Sequence, residues 1–196
     1  LLAGVMCGLA GLVRPTSEAL VLAVVVAAVV ALATRRDGWR PVVGALLSVT
    51  GIAGYLIFVA VRTGELTGWF TVQSSGWDGG IDGGVASMTF IVATLTSRDA
   101  TLMYYVSAIV LIGVLVLFGL SVAARLPVPL LVYGGAVVAT VWLSSGVMAS
   151  RPRLLLPAFV LLLPIALGLA KRRPATAVSV VVVAALASAW FGAYSL

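Results

Sequence analysis

Met148–Phe159, MASRPRLLLPAF, places two arginines, Arg151 and Arg153, on either side of a proline between two long apolar runs. The chain around it is 62% hydrophobic and 9% charged, where soluble domains carry about 25% charged residues. A mean hydropathy of +1.22 gives the same reading: an all-α, polytopic transmembrane helix bundle. Apolar runs at 15–34, 41–61, 101–124, 128–149, 152–170 and 175–196 each approach the roughly 17–25 residues that a spanning helix needs. The first run, Leu1–Val13, is shorter. As a helix it reaches about 20 Å against a hydrocarbon core of about 30 Å. It lacks a basic leader and a small-residue cleavage site, so it does not read as a signal peptide. This makes about seven hydrophobic segments, and the chain reads as the C-terminal part of a larger membrane protein. Pro157 and Pro164 fall inside the 152–170 run and are expected to kink it. Gly4 and Gly8 form a G-x-x-x-G, which suits close helix packing.

Absences narrow the chemistry. The sequence has no histidine and one cysteine, Cys7, so it has no His-based acid–base or metal chemistry and no internal disulfide. P-loop, zinc, nucleophile-elbow and dinucleotide patterns are missing, and no cofactor or metal is expected. The net charge of +6 suits cytoplasmic loops better than a nucleic-acid partner.

Loop charges set the orientation. The loops RRDGWR (35–40) and KRRP (171–174) are the most basic and are expected inside. Both lie inside only if VASMTFIVATLT, Val85–Thr96, does not cross; its twelve residues suit an interfacial or re-entrant segment. The inner loops then carry the whole net charge of +6, and Arg14, Arg62, Arg98, Arg151 and Arg153 balance five carboxylates outside. Residues 62–100 become a long extracytoplasmic loop.

Two outer helix starts share Arg-Pro: RPTSEAL at Arg14 and RPRLLLP at Arg151. Proline suits the first helical position, but arginine does not, because the N-terminal end of a helix prefers anions. Guanidinium groups at such an end make an anion site, well matched to phosphate. The competing reading is arginines snorkelling to lipid headgroups. Glu18 lies one turn after Arg14, as a substrate contact or as a local partner of that arginine.

In the outer loop, GWFTVQSSGWDGGIDGG (68–84) holds Trp69 and Phe70, expected at headgroup level. Trp77, Asp78, Asp82 and Gln73 form a set suited to a sugar, with ring stacking and polar contacts to hydroxyls. An ordinary interfacial loop built on DGG turns accounts for them equally well. The DGGIDGG run lacks EF-hand spacing and its terminal glutamate.

GWFTVQSSGWDGGIDGG, SRPRLLLPAFVLLLP and RPTSEAL together resemble the bacterial, mainly actinobacterial, relatives of the PIG-V mannosyltransferases, of the GT-C superfamily. The resemblance covers roughly Arg14 to Arg173. It implies a GT-C-like helix bundle in the cell membrane with its active face extracytoplasmic, and a polyprenyl-phosphate sugar donor, typically mannose. The acceptor would be a glycan, lipid or protein, with membrane lipids as surroundings. It also implies a catalytic carboxylate in an outer loop upstream of this chain, so the catalytic residue is unassigned. Arg151, Arg153 and Arg14 then fall to the donor phosphate, and Gln73, Trp77, Asp78, Asp82 and Glu18 to substrate. A transporter or flippase of an anionic lipid-linked substrate, and a non-catalytic membrane assembly subunit, are the alternatives.

Overall fold

The computed structural model describes residues 1–13, 17–35, 38–77 and 80–194, with the backbone alone at Trp77 and Tyr194. Its elements are helical: α1 (Leu2–Val13), α2 (Glu18–Ala33), α3 (Arg40–Thr63), α4 (Gly68–Trp77), α5 (Val85–Thr96), α6 (Leu102–Ala123), α7 (Val128–Trp142), α8 (Arg151–Leu154), α9 (Leu163–Ala170) and α10 (Pro174–Tyr194). Tight 3-10 turns precede and follow α8, at Met148–Ser150 and Leu156–Leu162. Among the described residues the only β pairing is an isolated antiparallel bridge between Ile81 and Ser144.

An oily exterior is what a bundle in lipid requires, and large apolar side chains cover the outside of this one. α3, α6 and α10 are long and apolar enough to cross a membrane; Met148–Ala170 makes a fourth if its two parts, bent by 59°, form one span. The expected seven segments are therefore present as helices, but α1, α2 and α7 are shorter than a full span. The run expected over 128–149 stops as a helix at Trp142, and the chain turns there instead of continuing to Ala149. The bend in the 148–170 run comes where Pro157 removes an amide donor, next to the non-helical backbone of Ala158.

Close backbone approach joins α1 to α3. A Cβ built on Gly8 would lie 2.7 Å from the Leu47 carbonyl oxygen, and one on Gly11 would lie 2.8 Å from the Ile52 amide nitrogen. Only hydrogen fits, so the G-x-x-x-G is an internal seam. Further on, α2 packs on α3 and α7, while α7 packs on α6 and on the Leu156–Leu162 stretch. The main core gathers Ala19, Ile91, Leu111, Val138, Val141 and Leu161 from five of these segments. Buried hydroxyls inside helices satisfy themselves locally: Ser107 donates to the Met103 carbonyl and Ser121 to the Leu117 carbonyl, both at 2.8 Å.

The segment 62–100 is more ordered than a loop rich in glycine suggests. It contains α4, packed against α3, and α5, packed against α6 with Phe90 and Tyr104 edge to face at 5.5 Å. α5 has the twelve residues expected of Val85–Thr96 and is too short for a membrane span.

Candidate functional site

Arg151 is 2% exposed, although it is among the largest side chains in the protein. Its guanidinium donates to the Val141 carbonyl at 2.7 Å, to the Ser144 carbonyl and to the Ser87 hydroxyl. The last carbonyls of any helix lack intrahelical partners and carry the negative end of the dipole. α7 ends at Trp142, so Arg151 caps that end with charge and geometry together. The Ser87 hydroxyl passes the capping on by donating to the Trp142 carbonyl at 2.7 Å, and the Asp82 amide donates to the Leu143 carbonyl at 3.0 Å. The cation that is misplaced at its own helix start is well placed at another helix's finish. α8, at four residues, is also too short to present a developed N-terminal dipole.

The segment leading into α5 is folded by the same clasp. Gly80 and Ser145 pair through backbone and side chain, with the Ser145 amide donating to the Gly80 carbonyl at 2.7 Å and the Gly80 amide donating to the Ser145 hydroxyl at 2.7 Å. Asp82 accepts from the Gly84 amide at 2.9 Å and from the Ala86 amide at 2.7 Å, closing the first turn of α5. Those two amides, with a smaller contribution from the Arg151 charge, hold its carboxyl below the ordinary carboxylate range. Gly83 and Gly84, at φ 70° and 92°, supply the left-handed backbone that lets one carboxylate reach both amides.

Beside the clasp lies a cavity of about 340 Å³ between α1, α2, α7 and the start of the bent 148–170 run. Its polar lining is Ser17, Tyr133, Thr140, Ser144 and Arg153; its apolar lining includes Leu20, Val137, Leu154 and Pro157. Val141 and Ser144, whose carbonyls Arg151 holds, both line it. Arg153 is exposed and has no hydrogen-bond or ion-pair partner among the described residues. Glu18 enters through Thr140: its carboxylate lies 3.4 Å from the Thr140 hydroxyl. That hydroxyl also lies 2.9 Å from the Ala136 carbonyl. It has one proton, and the shorter contact takes it.

The two arginines of SRPR thus separate, with Arg151 buried among protein acceptors and Arg153 open to the cavity. Glu18 does not itself line the cavity but lies against Thr140, which does. Asp82 instead caps α5, and neither it nor Gln73, half-buried on α4, lines the cavity. Arg14, Asp78 and the Trp77 side chain lie outside the described residues. Ser87, Thr140, Tyr133 and Ser144 escape sequence reasoning because nothing local marks a serine, threonine or tyrosine in an apolar run as facing a distant element. Ser17, directly before Glu18 at a helix start, was the one with a visible signal. Among the described residues no group of three or more metal-binding side chains occurs. No protein-family model, characterised protein or solved structure matches this chain.

Proposed function

We propose that this chain belongs to a membrane glycosyltransferase that takes a sugar, mannose by the motif resemblance, from a polyprenyl-phosphate donor on the extracytoplasmic face. The observation that carries this reading is the cavity itself: a guanidinium, Arg153, unpaired among the described residues, beside hydroxyls and an apolar wall. A lipid-linked phosphate needs a cation for the phosphate, polar groups for its head and an apolar surface for its chain. Arg153 binds the phosphate and stabilises the charge that grows on it as the glycosidic bond breaks. Arg151 supports it from behind by fixing the Val141 and Ser144 backbone. The test is sugar transfer from a labelled polyprenyl-phosphate mannose by the full-length protein in nanodiscs. Arg153→Ala is expected to lower turnover at least tenfold while the protein keeps its fold; unchanged turnover removes the reading.

One observation favours a transporter of an anionic lipid-linked substrate. The 148–170 run is broken by 59° at the cavity, and broken helices flank substrate sites in many transporters. Translocation of the intact labelled donor across a proteoliposome bilayer, without sugar transfer, would establish that alternative.

A further inference from the structure

The cavity holds more than a phosphate needs. Its phosphate-type group is Arg153, on the wall contributed by the start of the bent run. The wall from the start of α2 and from α7 offers the hydroxyls of Ser17 and Thr140, and the Glu18 carboxylate, which does not line the cavity, lies at its edge against Thr140 at 3.4 Å. Glu18 is exposed, and its one hydrogen-bonding neighbour among the described residues, the Thr140 hydroxyl, has its proton committed to Ala136. The Ser17 hydroxyl oxygen is buried and has no hydrogen-bond partner among the described residues. A buried hydroxyl left unpaired costs free energy, and a carboxylate without donors is incompletely satisfied once water is excluded. A bare phosphate would repel Glu18 and give it no proton. A ligand that carries hydroxyl donors as well as a phosphate satisfies both walls.

We infer that Glu18, with Thr140 and Ser17, forms a hydroxyl-recognition subsite that makes this cavity select a glycosylated lipid phosphate over the bare lipid phosphate. This rests on the donor reading above and deepens it: Arg153 supplies affinity for the phosphate, and Glu18 supplies discrimination for the head attached to it. In the spent product the sugar is gone, so the same carboxylate repels the bare lipid phosphate left behind and favours its release.

The experiment measures binding of three lipids to the full-length protein in nanodiscs by native mass spectrometry: bare polyprenyl phosphate, its mannosyl derivative and phosphatidylinositol, a polyhydroxylated phosphate lipid of host-bilayer type. The protein is expected to bind the mannosyl lipid about tenfold more tightly than the bare one, the scale of one charge-assisted hydrogen bond. Glu18→Gln keeps size and shape while removing the charge. It is expected to abolish most of that preference, chiefly by tightening the bare lipid, and Arg153→Ala to weaken both polyprenyl lipids alike. Equal binding of the two polyprenyl lipids, unchanged by Glu18→Gln, overturns the subsite and leaves the phosphate reading standing. Binding untouched by Arg153→Ala overturns the phosphate reading itself. Tighter binding of phosphatidylinositol than of the mannosyl lipid overturns the assigned occupant.

Discussion

The guanidinium of Arg151 lies 2.7 Å from the carbonyl oxygen of Val141, ten residues earlier in the chain, and so joins the start of one helical run to the end of another. Replacing Arg151 by alanine strands the Ser144 carbonyl and takes the charged donor from the Val141 carbonyl and the Ser87 hydroxyl, which keep, among the described residues, only the Ser144 hydroxyl at 3.2 Å and the Trp142 carbonyl at 2.7 Å as partners. A loss of about 3 kcal/mol is expected, from about 1–3 kcal/mol per buried group left unpaired with partial relaxation. Arg151→Lys is expected to recover less than half of it, because an ammonium cannot fork between two carbonyls. Thermal unfolding in detergent, followed by tryptophan fluorescence, measures both.

Ser87 both accepts from Arg151 and donates to the Trp142 carbonyl. Ser87→Ala is expected to destabilise by about 1–2 kcal/mol. The double variant with Arg151→Ala is expected to cost less than the two single losses combined, since both act on one network. A fully additive pair in the same unfolding assay contradicts the network.

The α1–α3 seam makes an asymmetric prediction. A Cβ on Gly51 would overlap the Gly8 carbonyl, while one on Gly44 finds its nearest neighbour at 3.9 Å. Gly51→Ala is expected to force the helices apart and cost about 1–3 kcal/mol, and Gly44→Ala to stay within about 0.5 kcal/mol of the parent. Unfolding midpoints of the two alanine variants decide it.

Asp82 makes the start of α5 sensitive to acid. Its carboxyl is held low in the folded protein, so its stabilisation is complete above the ordinary carboxylate range and is lost as pH falls through the depressed folded value. Hydrogen exchange at Gly84 and Ala86, corrected for intrinsic rates, is expected to show protection at neutral pH and its loss in strong acid. Asp82→Asn is expected to lower that protection already at neutral pH.

Orientation has its own check. With Cys7 replaced by serine, Val147→Cys introduces a thiol at an exposed position of the turn before α8. An extracytoplasmic site predicts labelling of intact cells by a membrane-impermeant maleimide. Labelling only after lysis reverses the orientation.

The helical class was legible because apolar runs dominate the composition, and the bend in 148–170 was legible because Pro157 marks it locally. The length of α7 was not. Val128 to Ala149 reads as one oily stretch, and the helix stops at Trp142 where side chains from elsewhere satisfy its last carbonyls. The same blindness affects Arg151. Sequence reasoning can ask which side chain opposes a cation, but here the acceptors are main-chain carbonyls, which every residue has. Glu18 and Thr140 meet across 122 positions of chain, and no spacing rule reaches that far. Trp69 and Phe70, expected at headgroup level, fall on α4 with the two rings edge to face at 4.9 Å, and nothing in the sequence marked that helix.

The pairing of Gly80 with Ser145 spans 65 residues, with all of α5, α6 and α7 between. During synthesis the segment before α5 leaves the ribosome long before its partner exists. It remains unclasped until α7 is in place and Arg151 has arrived to hold that helix's end. Completion of the cavity is therefore a late event: α1 and α2 supply one side of it early, and it closes only when α7 and the start of the 148–170 run are in place.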